Sequence, residues 1–325
     1  MLKNQRKKKT SIWIGIVEIV IFICSIFFIF MNSANKKESK TIERIAVILP
    51  KEETNPFWKT VWDGVRDCSE EKEIWLSEYQ YDSFSDDNVE NLLEMTILSK
   101  TDAVILRASD YTSDRMKNLL KNAKEEEIAI ILIDSDTQQE LRDIFVGVNN
   151  IEAGKKAAYT LIEHYQPKRI LEIRNDGNPT SVVMREQAFY EWMQSINKEN
   201  MISSIVLSGA EQVRYQTAQK FLMETEKGDA IVCFGANTTL IAAKTIERLG
   251  MQDTIFLMGF GESEEAIEYV KSGEIDLLFA QENYKMGYKA VECAIQILKD
   301  DKIQDRDNTY INIVAITKEE IEENR

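Results

Sequence analysis

The sequence predicts an α/β protein of two doubly wound parallel-sheet lobes, preceded by one transmembrane helix. Short runs rich in Val, Ile and Leu alternate with helical patterns along most of the 325 residues, which is typical of βαβ units with parallel sheets. Ten such runs are too many for one sheet with this connectivity, and the chain exceeds the usual size of one core. A long apolar run near the start predicts the membrane helix.

The apolar run, "IWIGIVEIVIFICSIFFIFM" (12–31), contains one charge, Glu18. Its 20 residues would span about 30 Å as a helix, enough to cross a bilayer core. Basic residues are concentrated in the segment before it, so the positive-inside rule predicts that 1–11 form a cytoplasmic basic tail and that everything after the run is extracellular. Residues 32–43 are then a polar linker, and the expected location is a single-pass cell-membrane protein.

Two alternatives to an uncleaved anchor remain open. A cleaved signal peptide would have a shorter apolar core, and its candidate cleavage site, Asn32-Ser33-Ala34, begins with an unsuitable residue. A lipid on Cys24 would require a small residue before the cysteine, whereas Phe22 and Ile23 precede it. We therefore favour the uncleaved anchor.

The elements after the linker follow one another in regular alternation. Strands are predicted at 44–49, 74–79, 103–107, 129–134, 144–148, 169–174, 202–208, 230–234, 255–259 and 277–281, and helices at 86–99, 114–127, 153–165, 183–195, 215–225, 239–249 and 285–299. Asp114 and Ser263 are candidate helix N-caps and Gly250 is a candidate C-cap.

Composition argues against several classes of function. The net charge is −15, and removing the five basic residues among the first nine leaves −20 for the rest, so an acidic surface would repel nucleic acid. His164 is the single histidine and the four cysteines form no CxxC pair, which argues against zinc sites and against Cys-His or Ser-His catalysis. Phosphate-binding glycine loops and GxSxG are also missing. We expect a binding protein without metal or cofactor rather than an enzyme, and interpret Cys233 and Cys293 as core residues.

In open α/β sheets, ligands bind at loops beyond the carboxyl ends of the strands. These loops are rich in Asn, Asp, Arg, Gln and aromatic residues, which can hydrogen-bond and stack on a small polar molecule. They comprise 51–58, 107–110, 134–137, 175–185, 235–238, 261–263 and 281–284. Loops are polar in any protein, so composition alone leaves a solvated surface as the other interpretation.

Seven motifs occur in the order found in one known family. They are "IAVILPKEETNPFW" (45–58), "IAIILIDSD" (128–136), "VGVNNIEAGKKAA" (146–158), "REQAF" (185–189), "IVCFGANTTLIAAKTIERLG" (231–250), "FLMGFGE" (256–262) and "FAQENYKMGYKAVE" (279–292). The sequence thereby resembles the type I periplasmic solute-binding proteins of the ribose- and galactose-binding class, whose fold also forms the ligand core of LacI-type repressors. The membrane segment and the lack of a helix-turn-helix exclude a repressor.

The resemblance implies the periplasmic-binding-protein-like I fold, in which three strands form a hinge between the lobes. An N-terminal lobe would comprise 44–149 plus 282–310, and a C-terminal lobe 150–281 plus 311–325. It also implies ligand contacts from seven positions, namely Asn55, Phe57, Trp58, Asp134, Arg185, Asn237 and Gln281. The two aromatic rings would clamp a sugar, and Asp134 would accept hydrogen bonds from its hydroxyls. Otherwise Asp134 would cap a helix, and Arg185 would form a surface ion pair with Glu186.

The sequence departs from the family pattern at three positions. Ser135 stands where many sugar binders carry Arg, Gly261 stands where they carry Asp, and Arg107 stands where many carry Asn. We include Arg107 among the predicted ligand residues, because it would suit an anionic or modified ligand; alternatively it neutralises Asp110.

The expected function is capture of a small polar ligand, a sugar or sugar derivative, by hinge closure, followed by delivery to an ABC-type permease. The alternative is a ligand-sensing subunit that signals to a membrane histidine kinase. The uncleaved anchor favours this alternative slightly, since importers of this family more often use a cleaved signal or a lipid.

Overall fold

The computed structural model describes residues 44–54, 56–82, 86–107, 113–299 and 308–323. The predicted tail, membrane anchor and linker (1–43) and the predicted ligand residue Asn55 lie outside the described residues. Among the helices that are described, none has both the length and the apolar character needed to cross a membrane.

The described residues form two six-stranded sheets. The first contains β1 (Ile45–Pro50), β2 (Leu76–Tyr81), β3 (Ala103–Leu106), β4 (Ala129–Ile133), β5 (Ile144–Val148) and β11 (Thr309–Ile311). The second contains β6 (Ile170–Asn175), β7 (Ile202–Leu207), β8 (Ala230–Val232), β9 (Phe256–Phe260), β10 (Leu277–Gln281) and β12 (Ile313–Ile316). Their orders are β11-β5-β4-β3-β1-β2 and β12-β10-β9-β8-β6-β7. All pairs are parallel except β10 with β12, which is antiparallel.

The helices lie between the strands. They are α1 (Pro56–Glu71), α2 (Asp86–Leu98), α3 (Asp114–Glu125), α4 (Asn150–Thr160), α5 (Thr180–Ser195), α6 (Glu211–Leu222), α7 (Ala236–Leu249), α8 (Glu264–Ser272), α9 (Asn283–Lys299) and α10 (Lys318–Glu323). A π-helical turn, Leu161–Tyr165, continues α4, and short 3-10 turns cover Glu52–Thr54, Gln139–Leu141 and Glu199–Met201.

Strand composition follows position in the sheet. β1 reads IAVILP and is buried at every residue, because helices cover both faces of a central parallel strand. The outer strands β2 and β7 read LSEYQY and ISSIVL and are only partly buried. The predicted alternation of strands and helices, and its division into two parallel-sheet lobes, is confirmed.

The chain passes between the two sheets three times. It leaves the first sheet after β5, returns after β10 into α9, and crosses again at Asn312 between β11 and β12. Helix α9 packs against α1 in the first lobe, although it follows a strand of the second sheet. The two helices touch at glycines: a Cβ on Gly64 would lie 2.0 Å from the Tyr284 carbonyl oxygen, and one on Gly287 would lie 2.0 Å from that of Val61.

Helix ends differ in part from the predictions. Gly250 ends α7 with φ 64°, and Ser263 caps α8 by accepting a hydrogen bond from the Ala266 N–H, as predicted. The prediction of Asp114 as an N-cap is wrong: Ser113 caps α3, its hydroxyl accepting from the Met116 N–H at 2.9 Å. Asp114 lies in the first turn, where its negative charge interacts favourably with the helix dipole.

The described cysteines are core residues. Cys68, Cys233 and Cys293 are buried and free, which confirms the interpretation of Cys233 and Cys293. Burial raises the pKa of the Cys68 thiol to about 11, so this cysteine is a thiol and not a reactive thiolate near neutral pH.

We expect Gly64→Ala to lower the free energy of unfolding by about 3 kcal/mol, because an added methyl group collides with the backbone of α9, which cannot move aside cheaply. Gly209→Ala is the matched control. Gly209 has φ 80° with nothing within 4 Å of an added Cβ, so it should cost only about 1 kcal/mol of backbone strain. Denaturant unfolding of both variants measures the difference; equal losses would show that the α1–α9 contact does not require glycine.

Candidate ligand-binding cleft

A cavity of about 660 Å³ lies between the two lobes, within the range of small-molecule sites. It is lined by Pro50, Pro56, Phe57, Trp58, Arg107, Asp134 and Asn283 from the first lobe and by Pro179, Ser181, Val182, Arg185, Gly235, Ala236, Asn237, Leu240, Gly261, Glu262, Ser263 and Gln281 from the second. Seven of the eight predicted ligand residues are therefore brought together at one cavity. The eighth, Asn55, is not described.

Side chains of α1 fix the position of the loop between β1 and α1. The Trp62 indole N–H donates to the Pro50 carbonyl at 3.0 Å in the buried interior. Arg66 lies over the Trp62 ring and forms ion pairs with Glu52 at 2.8 Å and with Glu78 at 2.7 Å. The hydrogen bonds from Arg66 lower the pKa of Glu52. These contacts position the 3-10 turn that leads into the aromatic pair.

The aromatic pair, Phe57 and Trp58, opens α1. Their ring centroids are 4.8 Å apart at 84°, an edge-to-face arrangement that favours contact between aromatic quadrupoles. Trp58 is only 5% exposed, whereas Phe57 is half-buried. Adjacent bulky residues are thus used separately: Trp58 packs into the first lobe and supports Phe57, which has the larger accessible surface at the cleft.

Asp134 follows β4 with a left-handed backbone, φ 65°. Its N–H donates to the Val146 carbonyl at 3.1 Å, and its carboxylate accepts from Arg107 Nε at 3.1 Å. No helix begins at Asp134, so the alternative of a helix cap is wrong. Arg107 contacts Asp134 across the ends of neighbouring strands; Asp110, the other proposed partner of Arg107, lies outside the described residues.

Arg185 is 4% exposed and belongs to the cleft wall, so the alternative of a surface ion pair with Glu186 is wrong. Its Nε donates to Asn150 Oδ1 at 2.7 Å, one Nη donates to the Phe234 carbonyl at 3.3 Å, and the guanidinium lies 5.1 Å from the Phe260 ring centroid. Burial lowers the pKa of Arg185 to about 10, and the charge of Asp134 opposes this shift. Arg185 therefore stays a cation at neutral pH and links the first residue of α4 to the cleft.

Asn237, in the first turn of α7, is oriented from outside the cleft. Arg214 on α6 donates hydrogen bonds both to Asn237 Oδ1 and to Asn175 Oδ1. Arg214 occupies one acceptor position of the Asn237 carbonyl oxygen, which leaves the amide nitrogen and the second lone pair for a ligand.

Two further polar residues of the cleft were not singled out by the sequence, although both lie in loops predicted to face it. Glu262 lines the second lobe, and burial raises the pKa of its carboxyl group. Asn283 is 6% exposed, and among the described residues its Oδ1 has no hydrogen-bond partner. A buried acceptor without a donor costs free energy, so Asn283 is a group that a bound ligand or a closed conformation can satisfy. The available sequence signal was their polar side chains in cleft-facing loops, but which loop residues reach the cavity depends on loop conformation.

Gly261 explains one departure from the sugar-binding pattern. Its φ is 99°, and a Cβ there would lie 2.4 Å from the Ala236 Cβ. Any side chain at this position would therefore be both strained and obstructed. The next residue in the sequence, Glu262, carries a carboxylate instead.

Comparison with known proteins identifies the family. Residues 45–302 match the family described as "Periplasmic binding protein domain". The chain belongs to the periplasmic binding protein family. This confirms the resemblance seen in the seven motifs.

Several known proteins are similar to this periplasmic binding protein. The ribose import binding protein RbsB of Salmonella typhimurium is 21% identical over 273 residues, covering 84% of this chain and 89% of that protein. GanP, a glucose-galactose binding protein from Geobacillus stearothermophilus, has the same fold with a TM-score of 0.71 at 21% identity over 86% of this chain and 99% of its own. A complex of XylFII with LytSN matches with a TM-score of 0.69 at 20% identity over 86% and 99%. The names of RbsB and GanP describe binding proteins, and this chain, as a member of the periplasmic binding protein family, is not an enzyme.

Gly261→Asp, which would restore the family's carboxylate, is expected to lower the free energy of unfolding by about 2 to 4 kcal/mol, because it adds left-handed strain to a collision with Ala236. Glu262→Ala, one residue later, should change it by less than about 0.5 kcal/mol, since it removes a partly exposed side chain. Thermal or denaturant melting of the two variants measures both values. A fully stable Gly261→Asp variant would contradict the steric explanation.

Proposed function

We propose that this periplasmic binding protein captures a sugar or sugar derivative in the cleft between its lobes, outside the cell membrane, and delivers it to an ABC-type transporter. The observation that supports ligand capture is the cavity of about 660 Å³ to which both lobes contribute polar side chains, with the aromatic pair on the first lobe. The names of the similar proteins, a ribose import binding protein and a glucose-galactose binding protein, favour a sugar over other polar ligands.

The charges lining the cleft favour a neutral, hydroxylated ligand. The charged lining residues are two cations, Arg107 and Arg185, and two acids, Asp134 and Glu262. Because Arg107 already contacts Asp134 at 3.1 Å, it is a weaker argument for an anionic ligand than the sequence suggested. Carboxylates, amides and guanidinium groups around an aromatic ring match alternating hydroxyl donors and acceptors on a sugar.

Capture would proceed by hinge closure. The three crossings between the sheets provide short connections about which the lobes can rotate. A ligand drives closure only through the contacts it makes better in the closed state. Phe57 and Asp134 on one lobe and Arg185 and Asn237 on the other provide such contacts, because a ligand that touches both walls stabilises their approach.

The predicted anchor at 12–31 would keep the binding domain at the extracellular face of the cell membrane, beside its transporter. Import is favoured by the name of RbsB, a ribose import binding protein, whereas the uncleaved anchor favours sensing. The complex of XylFII with LytSN is an example of a protein of this fold that assembles with another protein. We therefore retain, as the second candidate, a subunit that passes ligand occupancy to a membrane histidine kinase.

Ligand binding is tested by a thermal-shift screen of the protein against sugars, sugar phosphates and polyols, since binding to the native state raises the melting temperature. We expect Asp134→Asn to weaken the best ligand by about 10- to 100-fold, because a charged acceptor is replaced by a neutral amide.

Asp136→Asn is the control for this experiment. Asp136 lies two residues further along and accepts from Arg142 at 2.5 Å. It does not line the cavity of about 660 Å³, although it lines a smaller adjoining pocket. This variant should retain the parental affinity even if its melting temperature falls. Equal affinity of the parent and Asp134→Asn would contradict the assignment of the cleft.

Import and sensing make different predictions for cells. If the protein delivers ligand, deletion of its gene abolishes uptake of the radiolabelled ligand, and Asp134→Asn reproduces the loss at low ligand concentration. If it senses, uptake persists and ligand instead changes phosphorylation of a kinase that co-purifies with it. Measuring both quantities in one strain decides between the candidates.

A further inference from the structure

Two of the most exposed apolar side chains of the described residues lie at the amino ends of the first sheet. Trp75, immediately before β2, is 73% exposed, and Leu98, the last residue of α2, is 79% exposed. Met95, one helical turn before Leu98, is 41% exposed. We call these three residues the amino-edge patch.

The three side chains share one face and one edge of the sheet. Trp75 has the same strand parity as Tyr79 and Tyr81, which pack against α2 in the core of the first lobe. It therefore projects to the side of the sheet that α2 covers. In a βαβ unit the helix runs antiparallel to its strands, so the end of α2 that carries Met95 and Leu98 returns to the amino ends of the strands.

The start of the described chain lies at the same place. The Ile45 N–H donates to the Trp75 carbonyl at 3.3 Å, and the Arg44 guanidinium donates to the Ser99 carbonyl at 2.6 Å. Ile45 thus contacts the backbone of Trp75, and Arg44 contacts the backbone of Ser99, the residue that follows Leu98. The chain arrives at the patch directly from its linker.

Linker length limits how far this face can be from a membrane. The predicted membrane span ends at Met31, and residues 32–43 add twelve residues before Arg44. Fully extended, twelve residues reach about 42 Å. A surface tethered this closely meets the membrane at high effective concentration, so contacts that would be weak in free solution suffice.

We propose that the amino-edge patch contacts the lipid headgroup region of the membrane in which the chain is anchored. Indole and aliphatic groups are the side chains that insert at this level. Exposed cations at Arg44 and Lys100 flank them, where lysine and arginine commonly meet lipid phosphates. A second copy is a poorer occupant, because three side chains offer on the order of a few hundred Å², whereas each partner of a stable dimer buries about 800 Å².

This contact leaves the ligand cleft accessible. The cleft is at the carboxyl ends of the strands and the patch at their amino ends, and the six residues of β1 separate the two edges by about 20 Å. The lipid contact would limit rotation of the first lobe while the second lobe closes. The inference rests on the proposed membrane anchor but not on the identity of the ligand.

The experiment uses the full chain reconstituted in phosphatidylcholine vesicles whose acyl chains carry bromine near the headgroup, which quenches tryptophan in contact with lipid. The chain has five tryptophans, of which Trp13 lies in the predicted span. If the five tryptophans fluoresce equally and only Trp13 and Trp75 contact lipid, the bromine should quench about two fifths of the total tryptophan fluorescence. Trp75→Phe should lower it to about one quarter, whereas the control Trp192→Phe, which removes a tryptophan of the second lobe, should raise it to about one half.

If Trp75→Phe instead raises the quenched fraction, as the control does, Trp75 is not in contact with lipid and the proposal is overturned. Tenfold dilution of protein in lipid should leave the Trp75 effect unchanged; its disappearance on dilution would assign the patch to a second copy and also overturn the proposal. Failure of the chain to float with the vesicles would instead refute the membrane anchor of the proposed function. Flotation with an unquenched Trp75 refutes only the patch.

Discussion

Parallel strand pairing is the constraint on which the cleft depends. Because neighbouring parallel strands end at the same edge, every loop that follows β1, β3, β4, β6, β8, β9 and β10 is delivered to one side of its sheet. Each sheet therefore gathers cavity-lining groups from segments that are far apart in sequence. Three crossings then turn these two edges toward a common cavity, so Asp134 and Arg185 face the same space from different lobes.

The crossings require close backbone contact elsewhere. Helix α9 follows a strand of the second sheet but packs on α1 of the first, and it fits there because Gly64 and Gly287 lack side chains. Similarly, a Cβ on Gly154 of α4 would lie 2.3 Å from the Arg185 carbonyl oxygen. The same tight contact between α4 and α5 that forms the second lobe thus also sets the position of the cleft cation. The packing of the lobes and the geometry of the cleft therefore depend on the same contacts.

The sequence predicted most of the residues that gather at the cavity but not the interactions between them. Strand ends and polar loops were readable because period and composition act locally, and seven predicted residues line the cavity. The pairing of Arg107 with Asp134, the burial of Arg185 and the orientation of Asn237 by Arg214 were not readable, since each joins residues separated by 23 or more positions or depends on the surrounding packing. The wrong cap at Asp114 has a simpler cause: neighbouring Ser and Asp are both good caps, and only backbone geometry chooses between them.

By itself the sequence determined the α/β class, the two lobes, the family and the loops that form the cleft, because hydrophobic periodicity and ordered motifs are properties of the chain alone. Tertiary structure decided which side chains are available to a ligand. Trp58 is largely used for packing while Phe57 stays accessible, and Arg107 is already engaged. The backbone at Gly261 excludes a side chain, and the carboxylate that lines the cavity there belongs to Glu262. Availability is set by contacts between distant segments, and those contacts exist only after the chain has folded.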